Sequence, residues 1–432
     1  MKISALKKTF NQLEQAKLLV YFAKWSIMGL IVGSLVGSAS AIFLLSLKMA
    51  TNFREANYWI IALLPIGGLL IGYTYYWLGK GIEKGNNLIL EEYYTPQKTI
   101  PLKMAPLVLF GTVVTHLFGG SAGREGTAVQ MGGAIADQFN KLFKMTETDR
   151  KILLIMGISA GFASVFGTPL AGTVFALEVL VLGRIRYEAI FPSLFVAIVA
   201  DYFCSVVWDV PHTVYVISEV AQMNLPNLGW AIVAGICFGL TAMLFSRLKV
   251  FWKSLFSKIK FAPLRPFIGG IFIAGFVFLT GTTKYIGLGI PIIEEAFHTH
   301  LTSYDFLIKV VLTAFTLGAG FKGGEVTPLF FMGATLGNAL FLILPLPMGL
   351  LAGMGFVAVF AGATNTPLAC ILMGIELFGI EAGVFIAIAC VTAYFFSGHT
   401  SVYTSQIIGS PKHRAYQIFK GKTIKKSSYE KQ

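Results

Sequence analysis

From Trp25 to Leu47 no residue carries a charge, and every position is apolar, small or a serine. A run of that length matches the roughly 20 residues an α-helix needs to cross a bilayer. Comparable apolar runs recur at Trp59–Leu78, Ile152–Leu182, Leu225–Phe245, Phe267–Leu279 with an extension to Thr283, and Met348–Val359. In hydrocarbon each backbone N–H and C=O must find a partner inside the protein, which for runs this long means helices. Charged residues make up only 13% of the chain, where a soluble protein carries about a quarter. The expected fold class is an all-α polytopic membrane protein. No short charged segment with a cleavage site precedes the first run, so that run is expected to stay in the mature protein.

The net charge of +13 is concentrated in three places. Lys2, Lys7, Lys8, Lys17 and Lys24 precede the first run; Arg247, Lys249, Lys253, Lys258, Lys260 and Arg265 crowd a stretch with no acid; Lys412, Arg414, Lys420, Lys422, Lys425, Lys426 and Lys431 follow the last run. Each cluster abuts a hydrophobic span, which disfavours nucleic acid as a partner. The positive-inside bias places both termini and the middle stretch in the cytoplasm, with a multi-pass protein in the cell membrane. The chain then divides into a first transmembrane half at 1–246 with an amphipathic cytoplasmic start at 1–24, a basic linker at 247–266, a second half at 267–408, and a short basic tail at 409–432. Cys204, Cys237, Cys370 and Cys390 lie singly in apolar surroundings and read as small buried hydrophobes. HExxH is absent and no span holds a His/Asp cluster, so no enzyme, metal or cofactor is expected. Trp59, Tyr73, Tyr75, Tyr76 and Trp77 read as an interfacial aromatic belt.

The two halves echo one another. "TPLAGTVFALE" at 168–178 returns as "TPLACILMGIE" at 366–376, and "MGGA" at 131–134 as "MGAT" at 332–335. Gly120, Gly123, Glu125 and Thr127 match Gly320, Gly323, Glu325 and Thr327 at a shift of 200. Repeats of this kind are typical of transporters, with the substrate site where the repeats meet. "GGSAGREGTAV", "GTPLAG", "GGEVTPLFF" and "NTPLAC" each set helix breakers or caps before an apolar helix. Irregular backbone at membrane depth survives only when enclosed by protein or lining a cavity. A helix starting there turns unpaired N–H groups and the positive end of its dipole inward, which attracts anions.

In "GREGT" (123–127) the Glu125 carboxylate falls in the first turn of such a helix. Being an anion itself, it can hold the place of a permeating anion and leave it when protonated, with Gly123 and Gly126 giving it room. The competing reading is an Arg124–Glu125 ion pair capping the helix. Intramembrane ionisable residues are functional candidates.

Together with "GGEVTP" (323–328), the two "TPLA…E" segments and "YIGLGIPIIEEAF" (285–297), "GREGT" resembles the CLC family of anion channels and proton-coupled antiporters, over nearly the whole chain to about Tyr403. The resemblance implies an inverted repeat of tilted and half-spanning helices and a homodimer with one pore per subunit in a bacterial cell membrane. It places the gating glutamate at Glu125 and the central-site tyrosine at Tyr403 in "GHTSVYTSQ". Gly123, Arg124, Gly126, Thr127, Val326 and Thr327 then belong to the anion-binding segments.

Three departures from the chloride-handling pattern stand out. "KGNNLILEE" (84–92) replaces a serine-bearing segment and brings Asn86 and Asn87 toward the ion; Val179 stands where an inner proton-transfer glutamate would be; "GGEVTP" adds Glu325. These features resemble the fluoride-exporting branch of the family, and imply export of fluoride against protons. Chloride/proton exchange and a passive anion channel are the alternatives. Fluoride is strongly hydrated, and an Asn amide offers two donors where a serine offers one; Asn86 and Asn87 could instead cap a helix. Glu325 is either a second carboxylate on the ion path or a helix-end stabiliser. His116 reads as a buried structural histidine, and Glu178 and Glu376 as polar links between helices.

Overall fold

The computed structural model describes residues 14–429. The first set of helices is α1 (Glu14–Ala56), α2 (Leu64–Leu78), α3 (Asn86–Tyr94), α4 (Met104–Leu117), α5 (Glu125–Leu142), α6 (Glu147–Phe166), α7 (Pro169–Glu178) and α8 (Ile190–Tyr202). A second set follows in the same order: α9 (Leu225–Ser257), α10 (Leu264–Thr280), α11 (Ile290–Glu295), α12 (Asp305–Gly318), α13 (Val326–Leu340), α14 (Met348–Thr364), α15 (Pro367–Phe378) and α16 (Gly383–Phe396). A short α17 (Ile424–Tyr429) ends the described chain. Val181–Leu182 and Ile407–Ile408 form a two-stranded parallel pair, β1 and β2.

Packing repeats with the order. α1 lies on α8 as α9 lies on α16, α5 on α6 as α13 on α14, and α7 packs against its own counterpart α15. Small residues make the closest approaches: a Cβ on Gly132 would stand 2.1 Å from the Gly157 carbonyl oxygen, and one on Gly333 1.9 Å from that of Gly355. In lipid, helices associate through such backbone-to-backbone packing rather than through a hydrophobic difference. Four helical stretches among the described residues are long and apolar enough to cross a membrane. Others are shorter: at 1.5 Å per residue the 10-residue α7 spans about 15 Å, half the hydrocarbon thickness.

Three expectations from the sequence need correcting. The run Ile152–Leu182 is two helices, because Gly167 takes a left-handed conformation (φ +72) that ends α6 and Pro169 restarts the chain as α7. Asn365 (φ +60) does the same between α14 and α15. The basic stretch 247–266 is mostly not a linker: α9 continues through Ser257 and α10 begins at Leu264. The amphipathic start at 1–24 lies outside the described residues up to 13, and from Glu14 it is already part of α1. Of the expected aromatic belt, Trp59, Tyr76 and Trp77 are exposed, while Tyr73 and Tyr75 are half-buried, the Lys322 ammonium lying 4.0 Å over the Tyr75 ring. All four cysteines are free, Cys237 partly buried and the others buried.

Glu178 and Glu376 do link helices, and they do so reciprocally. The Glu178 carboxylate accepts from the N–H groups of Leu368 (3.2 Å) and Ala369 (3.0 Å) at the start of α15. Glu376 accepts from Leu170 (2.9 Å) and Ala171 (2.7 Å) at the start of α7. Proline at the head of each helix removes one orphan donor, and the partner's carboxylate takes two more.

A buried ion network fixes α3 against α5 and α6. Arg150 donates to both oxygens of Asp137 (2.8 Å each), to Glu92 (3.2 Å) and to the Lys98 carbonyl (2.8 Å). Lysine keeps the charge but not the planar fork. Arg150→Lys is therefore expected to lower stability by about 1–2 kcal/mol, read as an earlier thermal transition of the purified protein.

Candidate ion site between the two repeats

The loops that precede α5 and α13 meet back to back. Gly123 and Gly324 exchange both backbone hydrogen bonds, with N···O distances of 2.7 and 2.6 Å. Each loop thus satisfies the other's irregular backbone. Close approach requires glycine here: a Cβ on Gly324 would fall 2.7–3.0 Å from the backbone nitrogens of Gly126, Glu125 and Arg124. Those three N–H groups lie at the head of α5, where only the bare Cα of Gly324 leaves room beside them.

Glu125 is fully buried and crosses from α5 to the start of α13. Its Oε1 accepts from the Thr327 hydroxyl (2.5 Å) and from Arg124 Nε (3.3 Å). Its Oε2 accepts from the backbone N–H groups of Thr327 (3.0 Å) and Arg124 (3.2 Å). Two amides, a hydroxyl and a guanidinium are the donors a small bound anion would use. The carboxylate stands where such an anion would sit. An ion pair with Arg124 is part of this arrangement, and the carboxylate serves the head of the other repeat's helix as well as the N-cap of its own.

The remaining expected residues divide clearly. Val326 is buried at the first position of α13. Thr127 turns away: its hydroxyl lies 2.7 Å from Thr112 Oγ1 and its N–H donates to the Arg124 carbonyl. Asn86 and Asn87 open α3 behind the N-cap Gly85, and neither side chain caps the helix. The Asn86 amide nitrogen is 3.0 Å from where a Gly126 Cβ would be, and its Oδ1 is buried without a partner. Asn86 therefore faces the site. Asn87 faces elsewhere, its Oδ1 accepting from the Ser405 N–H at 2.8 Å and so tying α3 to the segment after Tyr403.

Tyr403 is buried, edge-on to Phe175 with ring centroids 6.4 Å apart. Its segment is held by the bond from Val402 N–H to the Ala363 carbonyl (2.9 Å). Gln406 braces it further: its amide nitrogen donates to the carbonyls of Val179 (2.9 Å) and Thr364 (3.0 Å). Val179 contributes only its backbone, so no carboxylate occupies that position. His116 is buried, with one ring nitrogen 2.8 Å from the Thr112 carbonyl oxygen and the other 3.0 Å from that of Ala122, a bracing role.

Glu325 is not the counterpart of Glu125. The left-handed glycines Gly119 and Gly320, the paired Gly123 and Gly324, and the N-caps Arg124 and Glu325 are each 201 apart (320 − 119, 324 − 123, 325 − 124), one more than the shift read from the sequence. Val326 matches Glu125 and Glu325 matches Arg124. The Glu325 side chain points away from its helix end to Lys249, with Oε1 2.5 Å from Nζ, and Nζ also donates to the Val402 carbonyl at 2.9 Å. Lys249 is a residue beside the site that the sequence reading did not single out. Its signal is the spacing of Lys249 and Lys253, which places both on one face of a helix rather than in a linker.

A family model described as "Voltage gated chloride channel" matches residues 67–398. A "Chloride/fluoride channel protein" of Pseudomonas syringae pv. tomato is 54% identical over 414 residues, covering 94% of this chain and 91% of the relative. The "H(+)/Cl(-) exchange transporter ClcA" of Klebsiella pneumoniae is 28% identical and covers 81% and 80% of the two chains. A solved structure titled "Crystal structure of a CLC-type fluoride/proton antiporter" aligns with a TM-score of 0.86 and 35% identity, over 89% of this chain and 98% of that one.

Proposed function

Because the chain belongs to the CLC family of voltage-gated chloride channel proteins, we propose that it is a proton-coupled antiporter exporting fluoride from the cytoplasm in exchange for protons. The observation that carries this reading is the Glu125 carboxylate resting on the Thr327 amide and hydroxyl and on Arg124. Charged, Glu125 holds the donors of the site. Protonated, it needs them less and yields them to an anion, so anion entry and proton uptake alternate at one place. The names of the relative from Pseudomonas syringae and of the solved antiporter support fluoride as that anion.

Fluoride costs more to dehydrate than chloride, so its site must return close donors. The Asn86 amide, the Thr327 hydroxyl and the Tyr403 phenol supply them, and Glu325 is a second carboxylate on the path. The protein works in the bilayer as a homodimer with one pore per subunit and both termini cytoplasmic. Fluoride enters cells as neutral HF at low external pH and is trapped inside as the anion; inward protons drive it out.

Fluoride flux from liposomes with parallel pH recording tests the reading. Uphill proton movement on a fluoride gradient, with chloride a poor substitute, is the expected result. Equal proton movement with chloride points to chloride/proton exchange, and fluoride flux without protons to a channel. Asn86→Ser is expected to lower the fluoride-to-chloride flux ratio about five- to a hundredfold, the worth of one donor of roughly 1–3 kcal/mol to a desolvated ion. Asn87→Ser, which loosens the Tyr403 segment instead, should slow both ions and leave their ratio unchanged.

A further inference from the structure

We propose that Lys249 is an anion-receiving site of its own, taking fluoride at the basic end of α9 by exchange for the Glu325 carboxylate. The inference rests on the fluoride-transport reading above. Its ground is the incomplete pairing of these two side chains. Both are largely buried, 14% and 18% exposed, and only one carboxylate oxygen meets the ammonium. The other, Oε2, is buried with no hydrogen-bond partner.

The surroundings favour an anion over a second acid. Lys253 lies one turn further along α9, exposed and within electrostatic reach of Lys249, Glu325 and Lys425. Lys425 on α17 is held close by its N–H bond to the Thr404 carbonyl, at 3.0 Å. Lys322, with its ammonium over Tyr75, reaches Lys253 and Glu83. Tyr403 lies within reach of Glu325 and Glu125 together. Around Glu325 the charges in reach are thus Lys249 and Lys253 from α9, with Lys425 from α17 in reach of Lys253 and Glu125 beyond Tyr403. Two ammonium groups in reach of one carboxylate, with Lys425 near the second, leave positive charge that gathers anions from solution.

Lys249 also has the geometry of a receiver. Its bond to the Val402 carbonyl holds the ammonium one residue from Tyr403 whether or not Glu325 is present. A monovalent fluoride at Nζ takes over from the carboxylate as the counter-charge of the ammonium, and the displaced Glu325 carboxylate keeps Lys253 within electrostatic reach. The anion then stands beside the Tyr403 segment, from which the donors around Thr327 are the next station.

The test is fluoride flux through the reconstituted full-length protein, with fluoride varied on each side of the membrane in turn. Lys249→Gln is expected to raise the half-saturating fluoride concentration roughly tenfold on one side only, and to change the maximal rate less. Lys249→Arg should recover most of the affinity. Lys249→Gln combined with Glu325→Gln should remain at the raised value, because the receiver is gone. A double variant that returns to the native half-saturation would overturn the proposal, since Lys249 would then be only a counter-charge. So would a Lys249→Gln protein with native half-saturation. Should Lys249→Gln not fold, Lys253→Gln is expected to raise the same quantity about twofold at low salt and not at high salt; no change at low salt counts against the site. Failure of the unsubstituted protein to carry fluoride would instead remove the transport reading itself.

Discussion

Glu125→Gln is expected to reduce proton movement on a fluoride gradient to the level of empty liposomes. Glutamine keeps the shape of the protonated acid and cannot release a proton, so the alternation between carboxylate and anion is lost. Its amide also fits the observed donors poorly. The two carboxylate oxygens accept from the Thr327 hydroxyl and amide and from Arg124, and a side-chain NH2 would face donors at one of these positions. A donor left facing a donor in a buried site costs about 1–3 kcal/mol. The glutamine should therefore vacate the site, and fluoride movement either stops or continues without protons. Parallel fluoride and pH electrodes separate these outcomes. Native proton pumping by Glu125→Gln would remove Glu125 from the coupling step and with it the main support for antiport.

Gly324→Ala should abolish transport of any anion. The added methyl carbon would lie 2.7 Å from the Gly126 nitrogen, 2.9 Å from that of Glu125 and 3.0 Å from that of Arg124. It cannot turn aside, because it is fixed by backbone geometry. It would cover three N–H groups and force apart the Gly123–Gly324 pair that joins the repeats. Overpacking of this kind costs about 1–3 kcal/mol or more, so a stability loss should accompany the lost flux. Gly275→Ala is the control, since a Cβ there has no neighbour within 4 Å. If Gly324→Ala carries fluoride at the native rate, the amides at the head of α5 are not part of the site.

The polytopic helical fold was legible because lipid imposes a simple rule on length and polarity, and the charge-free run at Trp25–Leu47 obeys it. The repeat was legible because proline and glycine mark helix ends, as in the two "TPLA…E" segments. Glu125 stood out for the same reason, a carboxylate beside an arginine among glycines. What failed was register and direction. A one-residue difference between the loops placed Glu325 opposite Arg124 rather than Glu125, and small residues on both sides hid it. Thr127 and Asn87 have suitable chemistry but turn toward Thr112 and Ser405, which depends on neighbours distant in sequence. Lys249 was absorbed into a run of basic residues because nothing local to it names Glu325, 76 positions away.

The exchange of helix caps between Glu178 and Glu376 has an implication for ancestry. Each acid satisfies the opposite half and leaves its own half's proline-led helix unserved. Such a contact is isologous: what one half gives it also receives. A half-length ancestor inserted in both orientations could have built the same contact with a second copy of itself, before duplication joined the copies into one chain. The same reciprocity means that neither half of the present protein, expressed alone, has all its helix ends satisfied.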